Sequence, residues 1–361
     1  MRELLRKPIW PLVALLLLNL AVTPSFFAVR VQDGRLYGSL VDILHNGAPL
    51  ALTALGMTLV IATRGIDLSV GAVVAISGAV TCTWIAGSPD PAGPGAALAG
   101  MGLALGLAVV LGAWNGFLVA RLGIQPIIAT LVLMTAGRGL AQLVTDGQIV
   151  TVNNAFFSGI SGSALFTVPL TVVVAAAVYA LVALVTRRTA LGTLVEAVGI
   201  NPEASRLAGV RSRSLVWTVY VFCALCAAVA GLMISANVHA ADANNAGLWL
   251  ELDAILAVVI GGTSLAGGRY SIAGTLLGAL TIQTLTTTIY SVGIPPEVSL
   301  VFKAVVVILV FLAQAPKVQA LLARRRGAAP PPAPPAAPVE PAPAETTTET
   351  TTATETTGSG R

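Results

Sequence analysis

Polar groups able to do chemistry are few in this 361-residue chain, and most fall inside apolar stretches. Arg138, with Gln142 one turn later, is the clearest case; Asn115 beside Trp114, Gln283 and Lys303 are others. An ionisable group in a lipid-like run is costly and by default marks a binding site or a transport path. A denser group lies at Asp242, Asn244, Asn245, Trp249, Glu251 and Asp253. Amides and carboxylates beside an aromatic ring suit a hydroxyl-rich solute such as a sugar, or a soluble protein that delivers one. They equally suit a helix N-terminus at the outer face, with Glu251 and Asp253 complementing its dipole. For Asn115 and Gln283, glue between helices is as good a reading as solute contact. Lys303 is placed to snorkel.

Other chemistries find no support. Gly262 to Gly267 has the spacing of a phosphate loop, but Gly268-Arg269 stands where Lys-Ser/Thr is needed. These glycines instead fit a tight turn and close helix packing. His45 and His239 are isolated, so no metal-ligand cluster forms and no nucleophile–His–acid set is apparent. Cys82, Cys223 and Cys226 all lie in apolar runs, and Cys223–Cys226 lacks the α/β context of a redox pair. The basic residues flank apolar runs rather than forming a stripe with aromatics, which argues against nucleic acid.

One charged segment interrupts the apolar pattern, Arg187 to Ser214, with five arginines against Glu196 and Glu203. Within it a short helix is delimited by its own punctuation. Asn201 is a good N-cap, Pro202 suits the first helical position, and Glu203 complements the dipole. Gly209 is a C-terminal stop. Ala204, Leu207 and Ala208 share one small apolar face. A helix kept out of lipid with such a face is built to dock.

These groups must be positioned by membrane helices. Hydrophobic residues make up 56% of the chain, more than a soluble domain needs. Apolar runs of about 20 residues predict ten spans, at 8–28, 43–63, 67–87, 96–120, 125–145, 166–186, 215–236, 251–267, 271–290 and 297–315. The second, opening on Asp42, His45 and Asn46, and the short eighth are the weakest. The first is long for a signal peptide and has no clean cleavage site, so it reads as an uncleaved helix. With the amino terminus inside, fifteen lysines and arginines lie on the cytoplasmic side and only Arg30 and Arg35 outside. Both termini are therefore expected in the cytoplasm. Gly65-Ile-Asp67-Leu-Ser69-Val-Gly71 would open the third span, with Asp67 or Ser69 as its cap. Residues 327–361, rich in Pro, Ala and then Thr, cannot bury a core and are expected to be disordered. The fold class is all-α, a polytopic membrane protein.

Three segments carry a family resemblance. Gly56 to Gly71 resembles the signature of ribose-type, simple-sugar ABC import permeases, and Glu196 to Asn201 with Ala208 to Val210 resembles that family's coupling loop. Ala240 to Gly262 and Gln125 to Gly139 look like its galactofuranose branch in particular. Arg64 departs from a glycine common before Gly65. Ser205 departs from a common alanine.

The resemblance implies a permease domain over 1–326, with a coupling loop at 187–214, in the bacterial inner membrane. It implies no enzymatic activity here, because ATP and magnesium would bind a separate cytoplasmic ATPase. Further implied partners are a second permease, identical or not, and a periplasmic or lipid-anchored sugar-binding protein. Coupling would use Glu196, Gly199, Asn201, Glu203, Arg206 and Gly209. Solute or binding-protein contact would fall to Asn115, Arg138, Asp242, Asn244, Asn245, Trp249 and Glu251. Rival readings are another cargo (ribose, another monosaccharide, a nucleoside or an autoinducer-type polyol) and, less well supported, an ion-coupled carrier. The absence of a membrane carboxylate chain weighs against the carrier. The absence of a catalytic constellation weighs against a membrane enzyme.

Overall fold

A computed structural model describes residues 9–22, 24–32 and 35–293, then 295, 298, 300, 301, 303–305 and 308. The expected tail, and most of the expected span 297–315, lie outside the described residues.

The described chain is helical, with three two-stranded ribbons at loops. In order, the elements are α1 (Ile9–Val22), β1 (Arg30–Gln32), β2 (Arg35–Tyr37), α2 (Ser39–Ala62), α3 (Val70–Gly87) and α4 (Pro94–Ala120). Then come α5 (Pro126–Val144), β3 (Val150–Thr151), α6 (Ala155–Gly162), β4 (Ala164–Leu165), β5 (Val168–Pro169), α7 (Leu170–Arg188), α8 (Leu191–Ile200) and α9 (Pro202–Leu207). The chain continues through α10 (Ser212–Val238), β6 (Ala240–Ala241), α11 (Leu250–Ile260) and α12 (Ile272–Ser291). Proline supplies the first residue of α4, α5 and α9, where a missing N–H costs nothing.

Among the described residues seven helices are long and apolar enough to cross a membrane: α2, α3, α4, α5, α7, α10 and α12. Burial separates them. The apolar window of α2 is 83% buried and that of α7 only 22%, so α2 is interior and α7 peripheral. Helix α10 is the central post and packs against α2, α3 and α4. Close approach there uses glycine. A Cβ on Gly56 would lie 2.8 Å from Cys223 Cα, and one on Gly231 would lie 2.4 Å from the Val74 carbonyl oxygen.

The expected eighth span is corrected. Residues 251–267 hold only the 11-residue α11, which rises about 16 Å, half a bilayer. Hydropathy counted the apolar residues but not the backbone break that precedes them. The first span is also short as a regular helix, 14 residues followed by a 3₁₀ turn at Pro24–Phe27. The stretch 146–165, left between the fifth and sixth expected spans, contains α6, capped by Asn154, whose side chain accepts from Phe157 N.

Two breaks are related. After α2 the chain turns at Thr63–Arg64, runs back without regular structure through 65–67, and re-forms as α3. After α10 it turns at His239, runs back through 240–249, and re-forms as α11. The first return starts from the arginine-rich end of the bundle and the second from the opposite end. Both carry one pattern: Gly65-Ile-Asp-Leu-Ser-Val-Gly-Ala-Val-Val-Ala75 matches Gly247-Leu-Trp-Leu-Glu-Leu-Asp-Ala-Ile-Leu-Ala257 in Gly, Leu and both Ala, with aliphatic residues shared elsewhere. The two returns thus run in opposite senses and share a short sequence pattern, and they gather polar groups inside the bundle.

Candidate functional site

The two re-formed helices meet at their first turns. A Cβ on Gly71 would lie 2.2 Å from Glu251 Oε2 and 2.4 Å from the Gly247 carbonyl oxygen. Gly247 adopts φ 67°, which a side chain would strain. Val74, one turn into α3, touches Gly231, seven residues from the end of the 27-residue α10. The crossing therefore lies more than ~10 Å inside the bundle. The segment Asp242 to Asp253 begins just after the outward end of α10, with Asn244 and Asn245 exposed, and runs to this crossing, where Glu251 and Asp253 lie in the first turn of α11 as expected.

Ser69 stands at the N-cap of α3 as expected, but its side chain turns back to Asp67 instead of capping the helix. Asp67 Oδ1 accepts from Ser69 N at 3.0 Å and from Ser69 Oγ at 2.6 Å, and the Ser69 side chain makes no bond to α3. Asn115 Nδ2 donates to Ser69 Oγ at 2.9 Å. The serine proton is committed to Asp67, so Ser69 can only accept from the amide, and this orients Asn115. Asn115 Oδ1, Tyr220 Oη and Glu251 Oε2 are buried without a protein hydrogen-bond partner among the described residues. These orphaned atoms ring the return segment 65–71, and a buried unpartnered polar atom is costly. Asn115 is therefore both glue and a group with spare capacity.

Arg138, on α5, clamps the other return segment. Its Nη1 donates to the carbonyls of Ala243 at 3.1 Å and Ala246 at 2.6 Å. Gln142 Nε2 donates to Asn244 Oδ1 at 2.8 Å. Asp242 Oδ1 accepts from Asn244 N and Asn245 N, and Asn245 Nδ2 donates to Asp242 Oδ2 at 2.7 Å. The expected cluster is thus brought together, with much of its polarity spent on holding its own backbone. Trp249 stands apart, left-handed at φ 64° and 49% exposed. Lys303 does not snorkel: its Nζ pairs with Asp253 Oδ2 at 2.5 Å, both side chains about one-fifth exposed.

At the arginine-rich end, the short helix α9 forms as expected. Asn201 Oδ1 accepts from Glu203 N and Ala204 N, and Gly209 turns the chain at φ 86°. Arg206 bridges Glu203 at 2.5 Å and holds its carboxyl below the usual carboxylate range, chiefly through that hydrogen bond. Leu207 is 78% exposed, so the small apolar face is bare. Behind it Gly199 is wedged into the permease body. A Cβ there would lie 1.9 Å from the Ala62 carbonyl oxygen and 2.4 Å from Gly268 N. Gly268 N itself donates to Ala62 O at 2.8 Å. The Arg64 guanidinium donates to the Ile200 carbonyl. Glu196 sits half-buried on α8. The segment carrying α9 therefore touches the chain just before one break and just after the helix that follows the other. Gly262, Gly267 and Gly268 make the tight turn expected, all at positive φ.

The family described as "Branched-chain amino acid transport system / permease component" matches residues 39–311. The chain belongs to this permease family. Among its relatives is the galactofuranose transporter permease protein YtfT of Escherichia coli (strain K12), 52% identical over 327 residues, 87% of this chain and 92% of that one. The fructose import permease protein FruF of Bifidobacterium longum (strain NCC 2705) is 39% identical over 88% of this chain and 90% of its own. The ribose import permease protein RbsC of E. coli (strain K12) is 35% identical over 85% of this chain and 92% of its own. No solved structure matches. The permease is a multi-pass membrane protein, as family and apolar helices together require.

Reading by residue type missed two features of the permease. One is the pattern shared by the two returns, the recurring Gly-aliphatic-x-Leu spacing at 65 and 247. The other is a polar group joining His45, Ser161, Thr171 and Asn237 from four helices at the end opposite the arginines. No linear spacing brings those four together.

Proposed function

We propose that the permease is the membrane-spanning subunit of an ATP-binding-cassette importer for a simple sugar, galactofuranose first among candidates. The observation that carries the reading is near full-length similarity, at 52% identity, to a galactofuranose permease. The bare face of α9 supports an ATPase docking there, with Gly199 and Arg64 passing its movement to both broken helices. ATP and magnesium then bind the ATPase, not this chain. The arginine excess at that end supports a cytoplasmic placement of it and of both termini, in the inner membrane. A second permease subunit and an extracytoplasmic sugar-binding protein complete the assembly. The opposite end, carrying the β-ribbons and α6, faces the binding protein. The mid-height crossing of α3 and α11, with Asn115, Arg138, Asp242, Asn244, Asn245, Trp249 and Glu251 around or above it, lies on or beside the cargo path.

A second reading follows from the family's description, which speaks of branched-chain amino acids. Uptake in proteoliposomes holding permease, ATPase and binding protein separates the two. Labelled galactofuranose should accumulate with ATP, and unlabelled leucine should not compete. Accumulation driven by an ion gradient without the ATPase would overturn the importer reading. Leucine uptake in place of sugar would overturn the cargo.

A further inference from the structure

We infer that the polar group around His45 is a monosaccharide-binding site in the permease itself, distinct from the crossing of α3 and α11. This rests on the sugar-importer reading. Four helices converge there: the second turn of α2, the first turn of α7 and the last turns of α6 and α10. His45 Nδ1 is 2.8 Å from Thr171 Oγ1, and Nε2 lies 3.2 Å from Ser161 Oγ and 3.3 Å from Asn237 Oδ1. Ser161 Oγ donates to Asn237 Oδ1 at 3.1 Å. Thr171 and Ser161 are buried, 1% and 7% exposed. None of the four side chains caps a helix, so helix formation does not explain them.

Space adjoins these groups. Two cavities of about 220 and 280 Å³ share His45, Ser161 and Asn237. Each is below the ~300 Å³ at which drug-sized pockets begin, a scale that suits one sugar ring rather than a chain of them. The deeper cavity is floored by Pro49 and Met233, apolar surfaces for the C–H face of a ring. The shallower opens past Tyr37 and Asp42. A sugar hydroxyl both donates and accepts. The site offers both roles through imidazole, hydroxyl and amide, with a carboxylate acceptor at its mouth. The bonds already made to Nε2 are at the long end of the normal range and compete for one nitrogen. Asn237 is exposed and both its bonds use Oδ1, so among the described residues Nδ2 has no partner and can donate. The 242–245 segment differs in this respect, since its side chains are spent on holding its backbone.

The test is binding of galactofuranose to the detergent-solubilised permease–ATPase complex without binding protein, followed by saturation-transfer NMR. The wild-type complex should show transfer to the sugar, competed by excess unlabelled sugar. Asn237→Ala and Thr171→Val should cut affinity at least tenfold. Asn237 is on the surface, so its variant folds even if the buried change does not. In the full transporter His45→Gln should change the ratio of galactofuranose to ribose and fructose uptake, which a merely structural role would not do. No transfer in the wild type, or unchanged affinity in Asn237→Ala with an unchanged cargo ratio in His45→Gln, overturns the site. A wild-type transporter that moves no sugar at all overturns the function beneath it, a separate and recognisable failure.

Discussion

The Glu251 carboxylate lies directly against Gly71, so the first turn of one broken helix rests on the first turn of the other. Only a residue without a side chain leaves room. Overpacking a tight contact of this kind costs about 1–3 kcal/mol. Gly71→Ala should therefore lower the thermal midpoint of the solubilised permease and slow sugar uptake. Adding Glu251→Ala should recover part of the loss, because the two changes share one contact. Additive losses in thermal unfolding would show that the contact is not what constrains Gly71.

Arg64 has a left-handed backbone, φ 65°, which costs a non-glycine residue about 1–2 kcal/mol. Its guanidinium reaches the last carbonyl of α8. Arg64→Gly relieves the backbone and breaks that link. Thermal stability should hold or rise while ATP consumed per sugar imported increases. A variant that is both stable and fully coupled would remove Arg64 from the transmission route.

Asp253 and Lys303 form a pair about one-fifth exposed. Removing one partner of a buried pair costs about 3–5 kcal/mol, and partial exposure brings the figure here toward or below the lower end. Asp253→Asn and Lys303→Met should each be destabilising, and the double neutral variant closer to wild type. The measurement is thermal unfolding of the three variants side by side. A double variant worse than both singles would mean the charges act separately.

Arg206 holds the Glu203 carboxyl below its ordinary range. A depressed carboxyl contributes stability above its unfolded pKa and loses it as pH falls through the folded value. ATPase recruitment should thus be flat near neutrality and weaken only at acid pH below the ordinary carboxylate range. Glu203→Gln should abolish that acid dependence. Recruitment, read by co-purification, that drops between pH 8 and pH 7 would rule this pair out as its cause.

Leu207 offers a bare apolar side chain on α9. Leu207→Asp should release the ATPase while membrane insertion and thermal stability stay unchanged, since no packing is lost. Undiminished co-purification would move the docking surface elsewhere.

Much of this was legible in the chain itself. Local rules suffice where the cause is local. Asn201, Pro202 and Gly209 delimit α9 because caps and stops act over a few bonds, and apolar length alone announces α4, α7 and α10. The tertiary structure decided what depends on distant backbone. Hydropathy could not distinguish a spanning helix from the half-length α11, because both are equally apolar; only the turn at His239 and the Arg138 clamp on 243–246 show that the chain re-enters. Lys303 finds Asp253, and His45 finds Thr171, across more than forty residues. Residue type set the cost of burying these groups, and packing alone chose the partners that meet it.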